Sequence, residues 1–167
     1  MEPWRRLDEA DEALARALLR GCCGSARWVD GMVARRPFGD RPTLEAAARD
    51  IWFALDEEDW REAFRHHPKI GDRESLRRRF AATRHLSERE QGGVNGAAEA
   101  VLTGLADANG LYERKFGYIF IVRASGRTAE EMLALLRARL DNDPHTEIQI
   151  SAAQQAEITA LRLDAIE

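Results

Sequence analysis

The sequence contains few cysteines, no long apolar run and no large excess of charge of either sign. Its two cysteines, Cys22 and Cys23, are neighbours in the chain, which is a poor geometry for a disulfide between them. Neither lies in a Cys-x-x-Cys or Cys/His ligand pattern, so both are predicted to be reduced thiols that pack between helices of a cytosolic protein. No segment approaches the roughly 18 uninterrupted apolar residues of a membrane span, and the first residues form no apolar core of a signal peptide. Neither secretion nor a membrane location is expected.

The balance of charge gives nucleic acid no general reason to bind. Lysine and arginine number 25 and aspartate and glutamate number 29, so the net charge is -4 and no nucleic-acid partner is expected. A chain of 167 residues can bury about two-thirds of its unfolded surface around one core without disulfides or a structural metal. Because repeats, linkers and low-complexity segments are missing, residues 1–167 are predicted to form a single domain.

Apolar residues recur at steps of three and four through most of the chain, which is the spacing of a buried helix face. The predicted fold class is therefore all-α, a single-domain bundle of about eight or nine helices with one buried extended segment. A first helix, with an apolar stripe that runs from Leu7 to Cys22, is predicted to end near Gly21 to Gly24. The next four helix starts are predicted at or near Ser25, Thr43, Asp56 and Asp72.

Two capping boxes, each a Ser or Thr followed three residues later by Glu, predict helix starts in the second half of the chain. Ser87 pairs with Glu90 in the first box, and Thr128 pairs with Glu131 in the second. The helix after the first box begins with three glycines, Gly92, Gly93 and Gly96. Each glycine costs about 1 kcal/mol relative to alanine, so a close approach of another backbone or of a ligand is expected there.

One apolar run in the second half has no second β-prone run in the sequence with which it could pair as a strand. Tyr118 to Val122 is the only continuous β-prone apolar run, so it is predicted to be a buried extended connection whose N–H groups a polar ligand could bond. Before it, Asn109-Gly110 is predicted to kink or break a helix. The last helix is predicted to begin at Thr146 and to place Leu161 on its inner side.

His67 is the best placed group for chemistry, because it lies where a predicted helix ends. Pro68 lacks an N–H and disfavours helix at the residue before it, so the helix should end at or just before His67. An imidazole fixed in that way can exchange a proton near neutral pH. The alternative is a capped histidine on the surface.

Three further polar residues near predicted breaks between helices complete a set suited to proton transfer and anion binding. They are Ser87, Glu90 and Arg162. Glu90 could instead be structural, as the third residue of its capping box, and Arg162 could be an exposed arginine. A metal site is not expected, because His66 and His67 lie about 100° apart on a helix and share no spacing with a carboxylate. Patterns for a nucleophile elbow, a phosphate-binding loop and a dinucleotide fold are missing.

Several segments together match one family in order and in spacing. The most specific are Phe64-Arg65-His66-His67-Pro68-Lys69-Ile70-Gly71-Asp72, Ser87-Glu88-Arg89-Glu90-Gln91, Tyr112 to Val122 and Arg162-Leu163, with Cys22-Cys23-Gly24-Ser25 and Arg36-Pro37-Phe38 before them. They resemble the 2-oxo-4-hydroxy-4-carboxy-5-ureidoimidazoline (OHCU) decarboxylases of urate catabolism. The resemblance covers nearly the whole chain.

The resemblance implies an all-helical single domain, usually a homodimer, that needs no cofactor. It implies that His67 is the catalytic acid/base, that Glu90 is its charged partner and that Arg162 binds the anionic ring system. The other residues that it implies in the substrate site are Pro68, Ser87, Glu88, Arg89, Gln91, Phe120, Ile121, Val122, Arg123 and Ala124.

The implied reaction is decarboxylation of OHCU to (S)-allantoin and CO2. The substrate has its own electron sink, because the carbon that loses CO2 adjoins a C=N bond of the ring. Two other interpretations stay open: a catalytically silent helical ligand-binding protein of the same fold, and a decarboxylase or hydrolase of a related ureido acid. Turnover of OHCU would distinguish the OHCU decarboxylase from both of these, and ligand binding without turnover would indicate the silent protein.

Overall fold

The fold of the described residues is entirely helical. The structure is a computed structural model that describes residues 1–68, 73–81 and 91–167. These residues form nine α-helices and no β-strand, so the predicted fold class is confirmed. In chain order the helices are α1 (Pro3–Glu9), α2 (Glu12–Cys22), α3 (Ala26–Ala34), α4 (Arg41–Ala54), α5 (Glu57–Arg65), α6 (Arg73–Ala81), α7 (Gln91–Phe116), α8 (Ala129–Leu140) and α9 (Pro144–Asp164).

Two compact units account for the contacts of the chain. The first comprises residues 1–67, 121–123 and 148–167, and the second comprises residues 68–120 and 124–147. In the first unit, α3 packs on α2, α4 and α5, and α1 packs on α2 and α4. In the second unit, α7 packs on α6 and α8. That residues 1–167 form one domain stays a prediction.

Three buried tryptophans form the centre of the first unit. Each donates its indole N–H to a backbone carbonyl: Trp28 to Ala48 at 3.0 Å, Trp52 to Ala152 at 2.9 Å and Trp60 to Trp52 at 3.0 Å. Large apolar rings are thus buried without leaving a polar atom unpaired. The bond from Trp52 also ties α4 to α9 at Ala152, which fixes the helix on which several site residues lie.

The buried polar centre of the second unit is the carboxylate of Glu147, which is fully buried. It accepts hydrogen bonds from the Tyr112 hydroxyl at 2.5 Å, from Nη2 of Arg139 at 2.6 Å and from Nδ2 of Asn142 at 2.9 Å. A charge is tolerated inside a protein when it is paired and hydrogen-bonded in this way. The cluster joins α7, α8 and the start of α9.

Most predicted caps are confirmed. The Ser25 hydroxyl accepts from the Trp28 amide at 3.3 Å, and the Asp56 carboxylate accepts from the Asp59 amide at 3.1 Å. Both hydrogen bonds of the box formed by Thr128 and Glu131 are present at 3.1 Å. The predicted caps at Asp72 and at Ser87 with Glu90 lie outside the described residues.

Two predicted helix boundaries are wrong because an aspartate caps at an earlier point. The predicted first helix is two helices, since Asp11 accepts from the Leu14 amide and begins α2. The last helix begins at Pro144, because Asp143 accepts from the Thr146 amide at 3.0 Å. Proline is well tolerated at the first helical position, where its missing N–H would have no intrahelical acceptor.

A predicted break and a predicted buried residue in the helix interiors are also wrong, while a kink at Asn109-Gly110 stays a prediction. The helix α7 passes through Asn109-Gly110 without a break, since one glycine costs only about 1 kcal/mol in a long helix. On α9, Leu161 is 38% exposed and Leu163 is buried. Counted from the buried Ala152, residue 161 lies about 180° around the helix and residue 163 lies on the same side.

The extended connection is confirmed. Residues 118–124 are neither helix nor strand, and Tyr118 and Ile121 in it are buried. As a separate finding, none of the described helices combines the length and the apolarity that a membrane crossing requires.

Candidate active site

The backbone at His67 is tied to the buried end of α5. The amide of His66 donates to Ala63 and the amide of His67 donates to Phe64, both at 3.2 Å. Phe64 and Ala63 are buried, so the last turn of the helix cannot shift without disturbing the core. The predicted helix end just before His67 is confirmed, since α5 ends at Arg65 with His66 as its cap.

The turn after α2 packs directly against the residue before His67. A Cβ atom added to the buried Gly24 would lie 2.4 Å from both Cβ and Cγ of His66. Only glycine leaves room for this approach, because real side chains keep a Cβ more than about 3 Å from such atoms. The segment Cys22-Cys23-Gly24-Ser25 therefore helps to set the position of the end of α5.

The imidazole of His67 is hydrogen-bonded to α9. Its Nε2 atom lies 2.5 Å from Oε1 of Gln155, and Nε2 of Gln155 donates to Oγ1 of Thr159 at 3.1 Å. Gln155 is fully buried and Thr159 is 5% exposed, while His67 is half-buried. The ring is thus held by a buried pair of polar residues one turn apart on the same helix.

Burial lowers the pKa of His67 below its ordinary value of 6.5. The hydrogen bond to Gln155 opposes this effect, and the positive charges of Arg162 and His66 add to it. Burial and nearby cations both disfavour a second positive charge. These effects favour the neutral form of His67, which is the form that can accept a proton.

Arg162 is half-buried on the same helix, three residues after Thr159. Its Nη1 atom donates to the carbonyl of Cys22 at 3.3 Å. The interpretation of Arg162 as an exposed surface residue is therefore wrong. Its charge acts on the pKa of His67, so the structure brings together two of the predicted site residues.

The two cysteines are free and buried, as the sequence predicts. Burial raises the pKa of Cys22 to about 12 and that of Cys23 to about 11, although the positive charge of Arg162 acts in the opposite direction on both. Since the thiolate is the reactive form, neither thiol is suited to act as a nucleophile at neutral pH.

The segment 121–123 is fixed by the residue next to Gln155. The amide N–H of Arg123 donates to Oε1 of Gln154 at 2.9 Å, and the Arg123 guanidinium lies 4.0 Å from Glu157. This N–H group therefore has a partner within the protein, and the backbone contacts of residues 120–124 with a substrate stay a prediction. Ile121 is buried and Val122 is half-buried.

Phe120 belongs to the second unit. Its ring centroid lies 5.3 Å from that of Tyr112, edge to face, and 4.5 Å from the guanidinium carbon of Arg139. An arginine over an aromatic face is attractive, so the cluster at Glu147 also supports this ring.

Some of the other predicted site residues lie outside the part of the chain that the structure describes. Ser87, Glu88, Arg89 and Glu90 lie outside the described residues, as does the side chain of Gln91, the first residue of α7. Pro68 follows His67 directly and is exposed, and Ala124 is half-buried. Glu90 as the partner of His67 stays a prediction.

Gln155 and Thr159 are not among the residues predicted from the sequence. A signal for them exists, because they continue the spacing of the buried residues Ile148, Ala152 and Leu163 on α9. Polar side chains in a buried helical stripe need hydrogen-bond partners and thus point to a polar site. Within the part of the chain that the structure describes, no group of three His, Cys, Asp or Glu side chains is placed to hold a metal ion.

The chain matches a known protein family along nearly its whole length. A sequence model of OHCU decarboxylase matches residues 8–164, which is nearly the whole chain. The chain belongs to the OHCU decarboxylase family. This membership confirms the resemblance seen in the motifs around His67 and Arg162.

Relatives of this OHCU decarboxylase family member come from a plant and a fish. The uric acid degradation bifunctional protein TTL of Arabidopsis thaliana is 42% identical over 145 residues, which are 85% of this chain and 44% of the relative. The chain thus spans less than half the length of that relative. The 2-oxo-4-hydroxy-4-carboxy-5-ureidoimidazoline decarboxylase of Amia calva is 28% identical over 78% of this chain and 74% of its own.

A solved structure of the family has the same fold. The crystal structure of an OHCU decarboxylase in the presence of (S)-allantoin superposes with a TM-score of 0.70 and is 36% identical. The match covers 92% of this chain and 96% of that chain.

Proposed function

We propose that this chain decarboxylates OHCU to (S)-allantoin and CO2 in urate degradation. The observation that carries the proposal is a half-buried imidazole at His67 that is hydrogen-bonded to Gln155 of α9, with the half-buried guanidinium of Arg162 on the same helix. A base and a cation are the two groups that an anionic substrate with a hydroxyl proton to lose requires.

The reaction needs no external electron acceptor. When the C–C bond to the carboxylate breaks, its electron pair forms a double bond to the ureido-bearing carbon, and the C=N pair moves onto the ring nitrogen, which takes a proton. The hydroxyl proton is then lost as the carbonyl forms, and the ureido-bearing carbon takes a proton. One proton is consumed overall and CO2 leaves, so the substrate's own C=N bond takes the place of a cofactor.

In this proposal His67 accepts the hydroxyl proton and Arg162 binds the anionic ring. Glu90 polarises His67 or the substrate. The site is lined by Pro68, Ser87, Glu88, Arg89, Gln91 and the segment from Phe120 to Ala124, which includes Ile121, Val122 and Arg123. A positioned acid/base contributes about 100- to 10,000-fold to the rate. Protonation from one face gives a single enantiomer of allantoin.

The proposal is tested by making OHCU in situ from urate with urate oxidase and hydroxyisourate hydrolase. The circular dichroism of the allantoin formed is followed with and without this protein. Wild type should produce one enantiomer rapidly, and His67→Ala should lower kcat/KM by about 100- to 10,000-fold. The matched control is His145→Ala, since His145 is an exposed histidine.

Each result decides between the interpretations. If optical activity develops as in the protein-free control, the decarboxylase proposal is wrong, and a silent ligand-binding protein or an enzyme for another ureido acid takes its place. If wild type is active and His67→Ala is equally fast, the reaction stands and the role of His67 does not.

The proposal extends to a cytoplasmic homodimer. The free, buried thiols of Cys22 and Cys23 suit a reducing compartment, and the homodimer is inferred from the family resemblance. Light scattering coupled to size-exclusion chromatography measures the mass in solution, and a mass of about one chain would contradict the dimer. Fractionation of cells that express the chain tests its location.

A further inference from the structure

Gln155 occupies a position on α9 that would ordinarily be apolar. Ile148, Ala152 and Leu163 lie on the same side of the helix and are buried, and Gln155 between them has no exposed surface. Burial of a carboxamide is unfavourable unless its donors and acceptor are bonded. Its two side-chain bonds therefore account for its presence: one is to His67 and the other is to Thr159.

The carboxamide determines which nitrogen of His67 carries a proton. Oε1 of Gln155 can only accept, so Nε2 of His67 must be the donor in their 2.5 Å contact. A neutral imidazole has one N–H, so the lone pair lies on Nδ1. In the opposite arrangement the amide NH2 would face the ring, and the proton would have to lie on Nδ1.

Thr159 selects between these two arrangements. Its oxygen accepts from Nε2 of Gln155 at 3.1 Å, and its side chain lies near the sulfur of Cys23, where hydrogen bonding by Thr159 opposes the rise in the pKa of that thiol. A hydroxyl has a single proton. When that proton points toward the sulfur, the oxygen is free to accept from the amide NH2, and Oε1 of Gln155 is left facing His67.

We propose that Gln155, oriented by Thr159, is a positioning residue that holds His67 in the Nε2–H tautomer and leaves Nδ1 to take the substrate proton. The inference rests on the proposed function, and it adds the identity of the reacting nitrogen. With the proton on Nδ1, the ring would offer a donor where the hydroxyl needs an acceptor. The partner that fixes the acid/base is then a neutral amide.

The first test is independent of turnover. Nitrogen NMR of protein labelled with ¹⁵N in its histidine rings is recorded without substrate near neutral pH, and His67→Ala identifies the His67 signals. We expect a protonated Nε2 and an unprotonated Nδ1 in wild type. Gln155→Leu, which removes the acceptor at similar size, should give a mixture of both tautomers.

The second test uses the kinetics of matched variants. Gln155→Leu should lower kcat by about 10- to 100-fold with little change in KM, since orienting partners of this kind contribute that much. Gln155→Glu places a carboxylate beside the ring and should move the acid limb of the pH profile upward by about 1 to 3 pH units. Thr159→Val should give a smaller loss in the direction of Gln155→Leu. Gln149→Leu is the control, because Gln149 is an exposed glutamine on the same helix.

The outcomes separate this inference from the proposed function. If wild type does not form allantoin, the proposed function is wrong, whatever the tautomer. If wild type is active but His67 carries its proton on Nδ1, or Gln155→Leu keeps the wild-type tautomer and kcat, the positioning role is wrong. If Gln155→Leu fails to fold, the pH profile of Gln155→Glu and the wild-type spectrum still decide.

Discussion

The contact between Gly24 and His66 predicts a large effect from the smallest possible side-chain addition. In Gly24→Ala the new Cβ would lie 2.4 Å from Cβ and Cγ of His66 and 2.7 Å from its Cδ2. The Cβ of His66 is attached to the backbone at the end of α5, so it cannot rotate away. Either the turn after α2 or the end of α5 must move by about an ångström to relieve the contact.

The magnitude follows from that displacement. Overpacking of this kind costs about 1–3 kcal/mol in the free energy of unfolding. The end of α5 also carries His67, and misplacing a reacting group by about 1 Å lowers the rate by about 100-fold. Gly24→Ala should therefore lose both stability and activity, and its loss of kcat should exceed what the unfolded fraction explains.

The assay pairs this variant with Gly21→Ala. Gly21 lies in the last turn of α2, and a Cβ there would meet nothing within 4 Å, so alanine should stabilise by about 0.5–1 kcal/mol. Urea unfolding and the allantoin assay are measured on both variants. Equal stability and equal kcat in the two would refute the reasoning, because it would mean that the turn tolerates a side chain against His66.

Two further predictions concern buried charge. Because the pKa of His67 is lowered, the acid limb of the pH profile of kcat/KM should lie below pH 6.5. The free energy of unfolding should fall as the pH drops from about 6.5 toward the lowered pKa, since the unfolded chain binds that proton more readily. His67→Gln should remove this part of the stability change, and an acid limb above pH 6.5 would contradict the predicted direction of the pKa shift. Glu147→Ala should destabilise by about 3–5 kcal/mol in urea unfolding, because it leaves the guanidinium of Arg139 buried without its carboxylate; an effect below about 1 kcal/mol would contradict it.

The features that the sequence predicts well depend on residues close together in the chain. Ser25, Asp56 and Thr128 cap helices as expected, because each bonds an amide three residues later. The end of α5 before His67 follows from the chemistry of Pro68 alone. Where two caps compete within a few residues, as at Asp143 and Thr146, spacing alone does not decide, and the predicted helix start at Thr146 is wrong.

The hydrogen bonds that link His67 to Gln155 and Gln155 to Thr159 could not be predicted in the same way. Gln155 is 88 residues away from His67 in the chain, and Thr159 has no chemistry of its own that singles it out. What the sequence does contain is the periodic position of both residues among buried apolar ones on α9. That pattern indicates a buried polar pair, and only the packing of α9 in the first unit shows which group the pair bonds.

The helix α9 links the candidate site residues of the first unit. Gln154 bonds the backbone at Arg123, the next residue bonds His67, and Arg162 lies two turns farther along. Residues seven apart on a helix project from nearly the same side at a fixed rise of about 10 Å. Because Trp52 ties Ala152 to α4, the relative positions of His67, Arg162 and the segment 121–123 are set by the packing of one helix.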